Sequence, residues 1–265
     1  MDLVPAEQLV RMPLHAITES FGEEGLRARF ALEIGRFDPQ DRRRLTAALG
    51  LASDLHRNDR RVREPYVNHL LRVAIRIMCH YEVRDVDVVI AGVLHDTVED
   101  HAAELTIGQT PETQPPSTTG VRSALTALEQ QFGRRVANLV SMVTNPVYDP
   151  ARDSDEQYRE HLAVSLDHSP WARVIKASDF TDNGVGVIHT TGPKVLRAAT
   201  KYRPLVPLLR ELIGRPDTPL SRWVKRHIFD QLDLAEQRFS DILEQPNHET
   251  SPKCPTSEVN PSHVR

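Results

Sequence analysis

The sequence predicts an all-α protein built as a single domain, and two observations lead to that prediction. Apolar residues recur at helical spacing almost throughout the 265 residues. A chain of this length can bury a substantial core without covalent staples. No internal repeat is visible that would indicate a solenoid or another repeat architecture.

The first half of the chain predicts three helices. The first covers about 39–56, and the second covers about 66–81 with a broad apolar face. Residues 86–94 are apolar nearly all round, as in a helix buried on most sides. Their β-branched content alone would also permit a strand. The polar sequence HDTVED that follows favours a helix running from the core into a cavity.

The second half predicts a long loop followed by further helices. Residues 103–120 are rich in Thr and Pro without periodicity, which is typical of a mobile loop. Helices are then expected at about 121–143, 154–168, 170–182, 193–213 (kinked near Pro204 and Pro207) and 219–245. We therefore expect an N-terminal extension at 1–25, one domain at 26–245 and a disordered tail at 246–265.

Composition indicates a soluble, cytoplasmic protein. The N-terminus has no basic region followed by an apolar run, and no apolar stretch is long enough to span a membrane. Cys79 and Cys254 lie in very different settings, which favours a reduced compartment. A net charge of −4 predicts no nucleic-acid partner. The composition leaves the oligomeric state open.

The segment AGVLHDTVED, residues 91–100, concentrates groups that bind metals or protons. His95, Asp96, Glu99 and Asp100 fall within six residues. On a helix, His95 and Glu99 share one face, as do Asp96 and Asp100. Because unpaired buried charge is costly, a cation would stabilise such a group. A solvated helix end is the simpler interpretation of an isolated HD pair.

Two further segments extend the pattern. His69 precedes an apolar helix face upstream, and Asp179 follows an apolar turn downstream, with Asn183 four residues later. Two imidazoles and two carboxylates form a mixed set that suits a borderline divalent metal and leaves positions open for water and substrate. His101, His161, His168 and His189 show no spacing that indicates a second metal site, so we interpret them as surface or packing residues.

From about residue 60 to 207 the chain resembles the hydrolase domain of the RelA/SpoT alarmone enzymes, especially the small stand-alone alarmone hydrolases. The matching motifs are Arg60-Arg61 with Glu64-Pro65-Tyr66 and His69; GVLHDTVED at 92–100; FG..VA.LV..VT at 132–144; IKASD...N at 175–183; and Tyr202-Arg203-Pro204-Leu205. Five ordered matches are far more specific than an HD pair alone.

The resemblance implies a helical HD-domain bundle that removes the 3′-pyrophosphate from (p)ppGpp with one divalent ion, most simply Mn²⁺. It assigns the metal to His69, His95, Asp96 and Asp179. It gives Glu99 and Asp100 the role of orienting or activating water. It also makes Arg60, Arg61, Asn183 and Tyr202 contacts of the guanine nucleotide.

Departures from the family pattern put the substrate in question. Phe180-Thr181-Asp182 stands where the family has RLH, so we expect Asp182 to add negative charge near the phosphates. An HD phosphohydrolase acting on another nucleotide, or a catalytically weak alarmone-binding sensor, are therefore the alternatives. A metal-free protein in which the HD and ED pairs bind the arginine-rich stretch is a third.

Overall fold

The computed structural model describes residues 5–61, 64–106, 119–184, 186 and 193–244. Within these ranges the chain forms thirteen α-helices and one 3₁₀ turn, with no β-strand. The α-helices are α1 (Ala6–Arg11), α2 (Leu14–Ile34), α3 (Pro39–Leu55), α4 (Val67–Cys79), α5 (Val86–Val93), α6 (Thr97–Leu105), α7 (Thr119–Phe132), α8 (Arg134–Val143), α9 (Ser154–Asp167), α10 (Pro170–Asn183), α11 (Pro193–Tyr202), α12 (Leu205–Gly214) and α13 (Arg222–Glu244). The predicted all-α class is confirmed.

Two predicted helices are each divided in the structure. The segment at 121–143 is broken at Gly133, whose φ of 97° is a conformation that side chains other than glycine rarely adopt. The segment at 193–213 is divided between Tyr202 and Leu205, with Pro204 at the N-cap position of α12. The predicted loop begins later than expected, because residues 103–105 form the C-terminal end of α6. Residues 107–118 and the predicted tail at 246–265 lie outside the described residues.

The expected continuous helix through the HD pair is wrong. Helix α5 ends at Val93 and α6 starts at Thr97, so the pair lies in a turn. The backbone N–H and the hydroxyl of Thr97 both donate to the carbonyl of Leu94, at 3.0 and 2.6 Å. The turn changes which groups meet, because His95 and Asp96 project from a helix junction rather than from one helical face.

The N-terminal segment is helical and packs onto the domain. Helix α2 contacts α4 and is interrupted at Gly22, where φ is 59°. The division expected at residue 25 lies three residues beyond this interruption and stays a prediction. None of the described helices has both the length and the apolar character needed to cross a lipid bilayer.

Helix α4 lies at the centre of the bundle and determines where the site can form. All of its residues from Val67 to Met78 are buried, and it packs against α2, α5 and α10. Polar residues on this helix, including His69, Arg72 and Arg76, are therefore buried as well. Buried charged groups need partners, and those partners come mainly from α10.

Candidate active site

Four side chains predicted as metal ligands converge where α4, the α5–α6 turn and α10 meet. The Nε2 atoms of His69 and His95 lie 3.3 Å apart. Asp179 Oδ1 lies 3.3 and 3.7 Å from these two nitrogens. Asp96 Oδ2 lies 3.6 and 3.1 Å from them. The structure thus brings together side chains that are far apart in the sequence.

The geometry of the donor atoms fits a bound cation. At bond lengths of about 2.1 Å, neighbouring ligands of a divalent ion stand about 3.0 to 3.4 Å apart. Nε2 of His69, Nε2 of His95 and an oxygen of Asp179 all lie within 4.8 Å of one another. Asp96 adds a fourth donor beside the histidines. We find this mixed nitrogen and oxygen set well suited to a borderline divalent metal.

Hydrogen bonds orient both imidazoles so that Nε2 faces the cluster. Nδ1 of His69 contacts Asp182 Oδ2 at 2.8 Å, and Nδ1 of His95 contacts the carbonyl of Gly92 at 3.0 Å. A proton on each Nδ1 leaves the Nε2 lone pair for a metal, which is the usual arrangement around metal-binding histidines. The bend after α5 therefore positions His95, and Gly92 in the last turn of α5 supplies the carbonyl that fixes its ring.

The two carboxylates are held from outside the cluster. Asp96 accepts a hydrogen bond from the Tyr66 hydroxyl at 2.6 Å. Asp179 accepts from Lys176 Nζ at 2.8 Å and from Asn183 Nδ2 at 2.5 Å. Lys176, Asp179 and Asn183 meet because spacings of three and four residues share one face of α10. These contacts come from tyrosine, lysine and asparagine rather than from the arginine-rich stretch.

Without a bound cation, the electrostatic potential at the cluster is strongly negative. Burial disfavours the charged form of His95, but Asp96 and Asp179 outweigh it and raise its pKa to about 10. Burial opposes ionisation of Asp96 and Asp179, yet their cationic neighbours hold the pKa of each well below its usual range. A metal-free site therefore attracts positive charge, either a proton on His95 or a cation.

Asp182 does not act as the free negative charge that the sequence suggested. Its carboxylate is buried and accepts hydrogen bonds from Arg72 Nε at 2.9 Å and from Arg76 Nη2 at 3.1 Å. It also contacts His69 Nδ1 at 2.8 Å, and Arg61 Nη1 lies 3.8 Å from Oδ2. The expected repulsion of phosphates is corrected, because two buried guanidinium groups neutralise this carboxylate. It orients His69, one of the predicted metal ligands, instead.

The predicted water-activating pair lies beside the cluster on the first turns of α6. Glu99 is exposed and accepts hydrogen bonds from Asn145, with the side-chain contact at 2.9 Å. Burial, reinforced by the charges of Asp96 and Glu99, raises the pKa of Asp100 to about 6. A carboxylic acid with this pKa can exchange a proton near neutral pH.

A cavity of about 510 Å³ adjoins the cluster. Its lining includes all four predicted nucleotide contacts, Arg60, Arg61, Asn183 and Tyr202. Arg61 donates to Asn183 Oδ1 at 2.8 Å and its guanidinium lies 5.2 Å from the centre of the Tyr66 ring. Asn183 also bonds the predicted metal ligand Asp179, so one residue connects the cavity to the cluster.

Sequence reasoning missed several residues of this site. The cavity is also lined by His15, Thr18 and Lys194, which no motif identified. Arg72 and Arg76 give a detectable signal, since they lie three and seven residues after His69 on an otherwise apolar helix. Asp182 gives a similar signal, because it is a charged residue at helical spacing, three positions after Asp179. The contribution of α2 to the cavity depends on tertiary packing and has no local signature.

Comparison with known proteins agrees with this geometry. Residues 48–163 match the family model described as an HD domain. The chain is 32% identical over 139 residues to guanosine-3′,5′-bis(diphosphate) 3′-pyrophosphohydrolase MESH1 of Danio rerio, covering 51% of this chain and 64% of the relative. The mouse and human proteins of the same name are each 31% identical over 139 residues, with the same coverage. The matched region thus spans less than two thirds of the length of these relatives.

A solved structure shares the fold. It is described as "A metazoan ortholog of SpoT hydrolyzes ppGpp and plays a role in starvation responses" and has a TM-score of 0.51 at 22% sequence identity. The superposition covers 74% of this chain and 95% of the other. Residues 48–163 of this chain thus resemble HD domains, and about half of the chain is similar in sequence to the MESH1 pyrophosphohydrolases.

Proposed function

We propose that this protein is a metal-dependent pyrophosphohydrolase that removes the 3′-diphosphate from guanosine tetra- and pentaphosphate. One observation carries the proposal. A cluster of two imidazoles and two carboxylates is joined through Asn183 to a cavity lined by Arg60 and Arg61. The metal cluster suits phosphoryl chemistry and the arginines suit an anionic nucleotide. The relatives named as 3′-pyrophosphohydrolases support the same substrate.

The residues that would hold the ion are His69, His95, Asp96 and Asp179, and Mn²⁺ is our choice because hard and borderline ligands are combined. Such a cation, when bound, lowers the pKa of water and polarises a phosphoryl oxygen. The fixed Nδ1 contacts of both histidines keep their Nε2 atoms directed at the cluster before substrate arrives. The site is thus organised in advance, which reduces reorganisation during the reaction.

Asp100 is our candidate for the general base. Its pKa of about 6 leaves it ionised at neutral pH but able to take a proton from the attacking water. Glu99, held by Asn145, would orient that water. Both carboxylates follow the HD turn directly, so the turn that places two metal ligands also places the base.

The cavity residues would bind and orient the nucleotide. Arg61 offers a planar guanidinium already fixed by Asn183, and Arg60 and Lys194 add positive charge to the lining. Guanidinium groups pair with phosphate oxygens and also stack on bases. Tyr202 would pack against the nucleoside; its ring is braced by edge-to-face contact with Phe180 at 6.1 Å. We expect the diphosphate to point toward the metal cluster and the nucleoside toward α11.

The proposal is tested by incubating the purified protein with ppGpp and Mn²⁺, with and without EDTA. We expect release of pyrophosphate and GDP that stops when EDTA removes the ion. A matched reaction with GTP and dGTP checks the position of the cleaved group, because neither carries a 3′-diphosphate. Cleavage of those nucleotides but not of ppGpp would show that the substrate is another nucleotide. Tight ppGpp binding without turnover would instead identify a sensor.

A further inference from the structure

A second cluster of metal-binding atoms lies outside the site described above. It combines His56, from the 3₁₀ turn after α3, with Asp59 and with His101 on α6. Asp59 Oδ2 lies 2.8 Å from His56 Nδ1 and 2.7 Å from His101 Nε2. The two ring nitrogens are 3.2 Å apart. Three potential ligands from two separate segments therefore face one point.

Packing holds the two rings in place. The ring of His56 stacks on Tyr66 with centroids 4.7 Å apart, and it meets the ring of His101 nearly perpendicularly at 4.4 Å. His56 is 2% exposed, whereas about a third of the Asp59 side chain is accessible, at 35%. The cluster is consequently rigid on its inner side and open to solvent on its outer side.

The hydrogen bonds that the protein supplies leave this cluster incompletely satisfied. His56 Nδ1 and His101 Nε2 both contact the same carboxylate oxygen and stand 3.2 Å from each other. The remaining nitrogen of His56 is buried without a hydrogen-bond partner among the described residues. One carboxylate oxygen can accept from both rings, but the two N–H groups would then converge with their nitrogens only 3.2 Å apart. The arrangement suits two lone pairs and a carboxylate around a cation.

We propose that His56, Asp59 and His101 form a second divalent metal site, separate from the candidate active site. The class of ion is a borderline metal such as Zn²⁺, since two imidazoles and one carboxylate are ligands that zinc accepts. Ligand atoms around a tetrahedral zinc ion stand about 3.3 Å apart, so movements of a few tenths of an ångström suffice. Water would complete the coordination on the exposed side.

The surroundings of His101 fit this assignment. Its Nδ1 lies 3.4 Å from Glu104 Oε1, one helical turn further along α6, but makes no hydrogen bond among the described residues. A carboxylate on the outer nitrogen is the usual neighbour of a metal-binding histidine. Sequence reasoning interpreted His101 as a surface or packing residue, because its partners His56 and Asp59 lie 45 and 42 residues earlier in the chain. Only the packing of α6 against the end of α3 brings them together.

The second site would stabilise the segment that carries Arg60 and Arg61. Asp59 directly precedes the two arginines, and His56 stacks on Tyr66, whose hydroxyl bonds Asp96. An ion joining His56 and Asp59 to α6 would therefore fix the start of this segment relative to the HD turn. The two sets of ligands share no residue, so occupancy of each can be measured independently.

The test is the zinc content of the full-length protein. The protein is stripped with EDTA, dialysed against buffered Zn²⁺ and analysed by inductively coupled plasma mass spectrometry. We expect His101→Ala and Asp59→Asn each to hold one equivalent of zinc less than wild type. Asp179→Ala should also hold one equivalent less, and the combination with His101→Ala two less. His168→Ala, at an 84% exposed histidine, is the matched control and should equal wild type.

The difference between variants decides the outcome, because other surface groups bind zinc weakly. Equal zinc content in wild type, His101→Ala and Asp59→Asn would overturn the proposal. Circular dichroism checks that each variant is folded. If His101→Ala does not fold, Asp59→Asn alone decides the test, since Asp59 is partly exposed and nearly isosteric with asparagine. The result is independent of ppGpp turnover, so a failure here leaves the proposed function untouched, and the reverse also holds.

Discussion

The carboxylate of Asp182 contacts Nδ1 of His69 at 2.8 Å, and it does so while bound to two buried arginines. This contact fixes the His69 ring with Nε2 directed at His95. A residue that departs from the family pattern thus supports a predicted metal ligand, and buried arginines neutralise its charge where it lines the cavity. The relationship links α4 and α10, the two helices that contribute His69 and Asp179 to the cluster.

Asp182→Asn tests this role. Asparagine keeps an oxygen for His69 Nδ1 but removes the charge that pairs with Arg72 and Arg76. Loss of such an outer contact usually weakens metal binding about 10- to 100-fold. Leaving buried arginines underneutralised should lower the free energy of unfolding by about 3 kcal/mol. Metal titration and urea unfolding measure the two effects.

The control for this variant is Asp230→Asn, an exposed partner of Arg226 on α13. It removes the same charge from a surface ion pair, which contributes little to stability. Both variants should give the same far-ultraviolet circular dichroism as wild type. Unchanged metal affinity in Asp182→Asn would show that the contact with His69 is structural only.

The four metal ligands were predicted from the order of their motifs along the chain, and no single local pattern would have identified them. His69, His95 with Asp96, and Asp179 each follow or end an apolar helical stretch, and the sequence of these segments resembled one family. The side chains then meet because apolar faces of α4, α5 and α10 pack together, which apolar periodicity predicts well. For this reason a reading of the sequence alone identified the four side chains that the structure brings together.

The parts of the site that sequence could not predict come from backbone breaks and long-range packing. No apolar pattern predicted that the helix through His95 would be interrupted, because the residues on both sides of the turn continue helical spacing. The 3₁₀ turn at His56 and the approach of His101 to it have no local signature. The partners of Asp182 depend on α4 meeting α10, so its charge alone suggested the wrong role.

Metal binding should release protons. In the metal-free protein the carboxylates raise the pKa of His95 to about 10, so both ring nitrogens carry a proton at pH 7.5. Nδ1 keeps its proton on the Gly92 carbonyl, and a metal must displace the one on Nε2. Release of one proton makes the affinity rise about tenfold per pH unit between neutral pH and the pKa of His95.

Calorimetric titration with Mn²⁺ in buffers of different ionisation enthalpy counts the protons directly. The titration uses His101→Ala, so that only the candidate active site is loaded. We expect at least one proton per ion at pH 7.5 and a weaker apparent affinity at pH 6.5. A heat of binding independent of the buffer would mean that His95 is already neutral, and the electrostatic account of the cluster would be wrong.

Arg61→Lys separates substrate binding from metal binding. Lysine keeps the positive charge but loses the planar group that donates to Asn183 and lies over Tyr66. Loss of one charge-assisted hydrogen bond costs about 1.5 to 3 kcal/mol, which corresponds to a fall in kcat/KM of roughly 10- to 150-fold. We expect this loss mainly as a higher KM for ppGpp, with metal content unchanged.

Arg57→Lys is the matched control, because Arg57 is exposed and donates only to a backbone carbonyl, that of Asp54, among its described contacts. It should leave KM within error of wild type. If Arg61→Lys instead lowered kcat with KM unchanged, Arg61 would contact the reacting phosphate and not the bound nucleotide as a whole.

The pH dependence of hydrolysis should report the ionisation of Asp100. A general base acts in its ionised form, so kcat falls as the pH drops below the pKa of Asp100, which stands at about 6 in the metal-free protein. Burial is the first cause of that raised pKa, and the charges of Asp96 and Glu99 add to it. Removing one of these charges should move the acidic limb to lower pH.

Glu99→Gln makes this comparison without altering a predicted metal ligand. Its remaining activity should show an acidic limb below that of wild type, since the carboxamide no longer repels the ionised form of Asp100. Asp100→Asn should lower kcat about 10²- to 10⁴-fold, and the double variant should retain metal with no detectable turnover. An unshifted limb in Glu99→Gln would assign the ionisation to another group. Substantial turnover by the double variant would exclude both carboxylates from proton transfer, because neither side chain could then accept a proton from water.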